Sequence, residues 1–281
     1  MKPFIITIIF LILTNKFQSK KPLNEEEIIY NVYYSKISGK YTAKKSDKVD
    51  NEAIASATYK NSYEKTGWDF LTISSYSLDD KKYSDSNKAY AMGYVEGIIN
   101  HERIYQIYRN LLHFSFYKDG NKLPDNLKEF MSKNLEYMKN TCLEKKDKEI
   151  YWEHVYYIYQ QMLGLYEGYN SACDENKKIG FIDFQLVVAN ADMEDAIYYK
   201  DKSRRPNFKN MTSEEIRLYT DLHTHCSALV KASNDFSDIW FGHNTWTTYG
   251  AMIRTFKEYR FVTNTQKEKS KVVVFSSYPG S

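Results

Sequence analysis

Reactive side chains are densest at one point of the chain, where Asp221-Leu222-His223-Thr224-His225-Cys226-Ser227 is followed by Gly242-His243-Asn244-Thr245-Trp246. His223, His225 and His243 are three of the six histidines, and Cys226 is one of three cysteines. Three chemistries fit these residue types. In an extended segment His223 and His225 would share a face and could chelate zinc or copper, with Cys226 or His243 as a third ligand. The spacing matches no zinc template. Cys226 could instead be a small buried residue at the start of a strand. Or it could be a nucleophile. A thiol needs a base or a cationic neighbour to ionise near neutral pH, and His243 could serve. Scission just before Cys226 would supply another base. The new α-amino group, with an ordinary pKa of about 7.7, would sit on the residue that carries the thiol. Asn244 offers a side-chain amide that could steady a tetrahedral oxyanion. The chain holds no Gly-x-Ser-x-Gly, Walker loop, Gly-x-Gly-x-x-Gly, His-Glu-x-x-His or paired Cys-x-x-Cys, so those routes to catalysis or metal binding find no support.

The elements that must hold these residues can be read on either side. Ile28–Tyr34, Ala53–Tyr59 and Phe70–Ile73 are aromatic or β-branched and predict strands. Tyr90–Leu112 predicts a helix, and its Gly93 and Gly97 lie four apart, a spacing that lets a neighbouring backbone approach closely. Pro124 and Asp125 suit the first turn of a helix running to Met138. In Glu149–Tyr169 the residues Tyr151, Val155, Ile158, Met162, Leu165 and Tyr169 recur at helical spacing and predict one buried face, with His154 at its boundary. Gly164 and Gly168 repeat the close-packing pair. Ile179–Ile197 predicts a helix or helix pair, and charged Lys200–Asn210 an exposed loop. Cys226–Val230, Asp238–Phe241 and Val272–Phe275 predict strands, with Trp246–Tyr259 helical between them. Strands, then helices, then strands with a helix make an α+β fold.

Composition narrows the classes of function. The chain has 281 residues, 42% of them hydrophobic and 27% charged, enough to bury a core. Its formal charge is +3, and residues 1–19 hold two of the cations, Lys2 and Lys16, and no acid. A nearly neutral remainder is not built to neutralise many phosphates, so no nucleic-acid partner is expected. Lys2 followed by the apolar run Phe4–Leu13 reads as a secretory signal peptide, 1–19, too short to span a bilayer. A route through an oxidising lumen, ending outside the cell or in a lysosome, fits the Asn210-Met211-Thr212 sequon. It also makes a Cys142–Cys173 disulfide the expected pairing, leaving Cys226 free.

Several stretches taken together resemble the phospholipase B-like, or laminin ancestor-like, family. They are Thr66-Gly67-Trp68-Asp69, Tyr90–Gly97, His225–Lys231, Asp238–Trp246 and Ser276-Ser277-Tyr278-Pro279-Gly280. The resemblance implies an N-terminal-nucleophile hydrolase with an αββα sandwich and no cofactor, acting on acyl bonds of glycerophospholipids, or an amidase of the same fold. By residue, it implies that Cys226 is the nucleophile, that the His225–Cys226 bond is the self-cleavage site, and that His243 and Trp246 line the pocket. The expected division is 1–19 signal peptide, 20–225 N-terminal part, and 226–281 the start of the catalytic chain. Members continue past the Ser-Ser-Tyr-Pro-Gly motif, so the sandwich is expected to be incomplete at Ser281. The competing expectation is a non-catalytic secreted glycoprotein that binds lipid or partners through aromatic surface.

Overall fold

Alternating aromatic and β-branched side chains open the chain as strands. The computed structural model describes residues 27–75, 82–114, 123–189, 192–223, 226–247, 249–264 and 272–281. The expected signal peptide, residues 1–19, and His225 of the expected cleavage site lie outside the described residues. β1 (Glu27–Ser35) turns back on β2 (Lys40–Ser46) through Gly39, whose φ of 67° falls in the left-handed region glycine tolerates. β3 (Ala55–Lys60), a single helical turn α1 (Tyr63–Thr66) and β4 (Asp69–Ser75) follow. Seven helices come next: α2 (Asp85–Ile99), α3 (His101–Phe114), α4 (Asp125–Lys145), α5 (Ile150–Ala172), α6 (Phe181–Val188), α7 (Met193–Lys200) and α8 (Ser213–His223). β5 (Ser227–Ala232), β6 (Ile239–Asn244), β7 (Thr255–Arg260) and β8 (Val272–Ser277) close the order.

The fold is α+β. Six strands form one mixed sheet in the order β2-β1-β3-β4-β7-β8, parallel only between β4 and β7. β5 and β6 pair with each other as a separate antiparallel ribbon. One face of the sheet is dry. Val32, Ala57, Leu71 and Ile73 meet Ala91, Met92, Val95 and Ile99 of α2 there. Fully burying a large apolar side chain is worth roughly 1.5–3 kcal/mol, so this face is a major source of cohesion, beside a second core in which Ile107, Leu111, Leu127 and Leu186 pack α3, α4 and α6 together. Period-two alternation sends Phe70 and Phe256 to the opposite face, where each is about 40% exposed and their rings lie 6.1 Å apart.

The four spaced glycines do what their spacing suggested. Gly93 and Gly97 of α2 face Gly164 and Gly168 of α5, and a Cβ on any of them would collide with a carbonyl of the other helix. The axes approach so closely that only hydrogen fits at these four positions.

Other expectations need correcting. The expected continuous helix breaks at Asn100, giving α2 and α3. Of the face expected on α5, Met162, Leu165 and Tyr169 are buried, whereas Tyr151 and Ile158 are 66% and 67% exposed, because α2 packs on the C-terminal half of α5. Trp246–Tyr259 is not a helix. A 3₁₀ turn (Tyr249–Ala251) leads into β7, whose inward positions are Thr255, Lys257 and Tyr259. Buried Lys257 is stabilised by Glu96 of α2, 2.9 Å away, so an inward-facing cation hides the usual strand pattern.

The Cys142–Cys173 disulfide is also overturned, since all three cysteines are free. Cys142 is buried near the end of α4, within electrostatic reach of Tyr159 on α5. Cys173 caps the far end of α5. From Tyr159 to that end the helix runs about 20 Å at ~1.5 Å per residue, and a disulfide needs Cα atoms within about 7 Å.

Candidate active site

Two segments far apart in sequence build a cleft on the outer face of the sheet. The first is Thr66-Gly67-Trp68-Asp69. Gly67 ends α1 with φ 78°, a left-handed cap that turns the chain into β4. Asp69 is fully buried and anchors that turn. Its carboxylate accepts hydrogen bonds from the backbone N–H groups of Ser62 and Tyr63 (3.0 Å each), the Tyr59 hydroxyl (2.8 Å) and Arg103 Nε (2.9 Å). Burial, with Asp69 adding to it, pushes the Tyr59 phenol well above its ordinary pKa, so it stays a donor at any physiological pH. The Asp69 backbone N–H donates to the Arg254 carbonyl at 3.1 Å, which ties the start of β4 to the residue before β7.

Arg254 is held rigidly. Its guanidinium lies over the Trp68 ring, 4.7 Å from the centroid. A Cβ on Gly67 would sit 2.8 Å from Arg254 Nη2, so the glycine makes room for the cation as well as for the turn. Arg254 Nε is buried and has no hydrogen-bond partner among the described residues. Leaving such a donor unpaired ordinarily costs about 1–3 kcal/mol.

The second segment is the ribbon. Ser227 pairs with Asn244 and Ala228 with His243, which brings the end of β6 back beside Cys226. His243, Asn244 and Thr245 border a cleft of about 480 Å³. Trp68, Phe70 and Phe256 form its aromatic wall, and Arg254, Ser276, Ser277 and Tyr278 complete it. Cys226, just before β5, is half-buried, with Sγ 4.0 Å from the Trp246 carbonyl oxygen. Burial pushes the Tyr278 phenol up and the adjacent Cys226 sulfur adds to the shift, while Thr245 and Arg254 pull it back. Cys226 has φ 65°, a left-handed conformation that costs a non-glycine residue on the order of 1–2 kcal/mol.

The structure thus sets His243 and Asn244 in the lining of one cleft, while Cys226, across the ribbon from the end of β6, is not among the lining residues. His243 Nδ1 lies 3.4 Å from Thr245 Oγ1, and no hydrogen bond joins His243 to the Cys226 thiol among the described residues. Trp246 reaches the thiol through its carbonyl, and the residue is 53% exposed; Trp68, Phe70 and Phe256 provide the aromatic wall instead. His223 does not lie in an extended segment. It ends α8, stacked on Tyr219 with Nδ1 2.8 Å from the Tyr219 carbonyl. No group of three or more His, Cys, Asp or Glu is gathered for a metal among the described residues. Asn210 is exposed at the end of a short 3₁₀ turn. It precedes a capping box at the start of α8, in which Glu215 accepts from Thr212 N–H (2.7 Å) and Thr212 Oγ1 accepts from Glu215 N–H (3.3 Å). Arg254 escaped the sequence reading, because its interest lies in burial and an unpaired donor, which no spacing encodes.

A family model described as Phospholipase B matches residues 55–281. "Phospholipase B-like protein A" of Dictyostelium discoideum is 30% identical over 264 residues, 90% of this chain and 44% of the relative. "Phospholipase B" of Crotalus adamanteus is 28% identical over 83% of this chain and 42% of its own length. "Phospholipase B-like 1" of Rattus norvegicus is 29% identical over 83% and 40%. The chain spans less than half the length of these three curated relatives.

Proposed function

The chain belongs to the phospholipase B family, and from that premise we propose that it carries the nucleophile of an acyl-ester hydrolase acting on glycerophospholipids. The nucleophile is Cys226. In maturation its thiol attacks the carbonyl carbon of His225. The Sγ–C bond forms, the C–N bond to Cys226 breaks, and the thiol proton goes to the departing amine. Water then hydrolyses the thioester, freeing the His225 carboxylate and the Cys226 thiol. In turnover the new α-amine takes the thiol proton and the thiolate attacks the acyl carbonyl. Asn244 or His243 steadies the oxyanion, the glycerol oxygen leaves with the proton, and water releases the fatty acid.

The observation that carries this reading is the left-handed φ of Cys226 beside the cleft bordered by His243 and Asn244. Strain at a bond due to be cut is released by cutting it. The six-strand sheet, helix-covered on one face and bearing the cleft on the other, agrees with one half of an αββα sandwich of the N-terminal-nucleophile type. The division into residues 1–19, 20–225 and 226–281 follows from the same reading. So does a secretory route ending outside the cell or in a lysosome, with a glycan on exposed Asn210. No helix among the described residues is long and apolar enough to cross a membrane. An amide substrate would use the same groups.

The test is labelling with a thiol-reactive acyl probe. Cys142 is buried, and burial pushes the Cys142 and Cys173 thiols up, away from the reactive thiolate; the proposal puts the label on Cys226. Cys226→Ala should abolish both labelling and fatty-acid release. Release that survives in this variant removes Cys226 from the chemistry. A second reading, a non-catalytic lipid- or partner-binding glycoprotein, draws on the exposed Trp240 and Phe241 of the ribbon, and it predicts no acylation at all.

A further inference from the structure

Among the described residues the cleft holds one arginine with no ion pair. Arg254 makes no ion pair among the described residues, and its buried Nε has no partner. Asp69, whose backbone N–H donates to the Arg254 carbonyl, spends its carboxylate on Tyr59, Arg103 and two backbone N–H groups. Among the described residues no carboxylate lines the cleft. The cation is nonetheless pinned, by the Trp68 ring on its face and by the space Gly67 leaves at Nη2. A planar guanidinium with no ion pair among the described residues, in a cleft also lined by Ser276, is suited to a phosphate-type oxyanion. The aromatic wall beside it suits an apolar group carried on the same molecule.

We infer that Arg254 is the headgroup-reading residue of this cleft, holding the phosphodiester of a glycerophospholipid while Trp68, Phe70 and Phe256 take its apolar part. This inference rests on the proposed function for its choice of ligand, but not on Cys226 acting as nucleophile. Arg254 is a specificity residue; it takes no part in bond making.

The test is therefore equilibrium binding to the full chain carrying Cys226→Ala, which cannot turn the ligand over. The probes are monomeric dihexanoyl-phosphatidylcholine, dihexanoylglycerol (the same acyl groups without phosphate) and inorganic phosphate. Adding Arg254→Gln should weaken the phospholipid at least about tenfold and leave dihexanoylglycerol unchanged, with Arg254→Lys falling between. Inorganic phosphate should bind more weakly than the phospholipid. Unfolding curves should confirm that the variants are folded; if Arg254→Gln is not, Arg254→Lys alone decides. Equal loss of both lipids, no loss of either, no binding by the parent, or inorganic phosphate binding as tightly as the lipid would each overturn the assignment. Arg254-dependent binding together with no acylation of Cys226 would keep the headgroup site and discard the catalytic reading.

Discussion

The sheet with its helices and the β5–β6 ribbon spend apolar residues in opposite ways. In the first, Ile54, Leu71, Ile73 and Val95 are almost wholly buried, and α2 and α5 touch backbone to backbone through four glycines. In the second, Leu229, Val230, Ile239, Trp240 and Phe241 are each more than half exposed. A two-strand ribbon is at best marginally stable alone. The contrast separates the two tasks of the molecule. The helix-covered sheet fixes geometry, delivering Trp68, Phe70, Arg254 and Phe256 to one place. The ribbon brings reactive groups to that place and contributes little to cohesion.

The largest effect expected from this contrast lies at the glycines. Gly164→Val would drive two methyl groups into the backbone around Tyr90 and Tyr94, and should cost more than about 3 kcal/mol or prevent folding. Urea unfolding measures it, and a change below about 0.5 kcal/mol would mean the helices are not packed as described. At Phe241, 81% exposed on the ribbon, Phe241→Ser should alter global stability by no more than about 0.5 kcal/mol in the same assay. A loss above about 2 kcal/mol would show the ribbon to be part of the core.

The smallest effect belongs to the turn between β5 and β6. Hydroxyls of Ser233 and Ser237 and the Ser237 N–H hold the Asp235 carboxyl down at about 2. A carboxyl depressed in the folded state adds stability that is complete above its unfolded pKa of ~3.9 and is lost as pH falls through about 2. Carboxyl NMR should therefore give a midpoint near 2, with ribbon amide shifts moving in step and Asp235→Asn removing that movement. A midpoint near the ordinary ~3.9 would mean the turn's hydrogen bonds do not form in solution.

Much of this was legible in the residues. Gly93, Gly97, Gly164 and Gly168 announced a close helix pair, because a missing side chain every four residues has few other uses. The clustering of His243 and Asn244 with Cys226 was also visible, since a hairpin folds neighbours in sequence back together. β7 was not, because Lys257 points inward and finds its partner, Glu96, on a distant helix. α8 carries a signal in the sequence, the Thr212-x-x-Glu215 capping box at its start. The cradle of Arg254 could not be read, because Gly67 and Trp68 meet it only when β4 and β7 pair in parallel.

The most direct measurement is N-terminal sequencing, with intact-mass analysis, of the protein recovered from the secretory route of a eukaryotic cell. The account predicts a polypeptide that begins at Cys226, and a single uncut chain when Cys226 is replaced by alanine. Wild-type protein that never shows Cys226 as a first residue, or an alanine variant cut at the same bond, would contradict it.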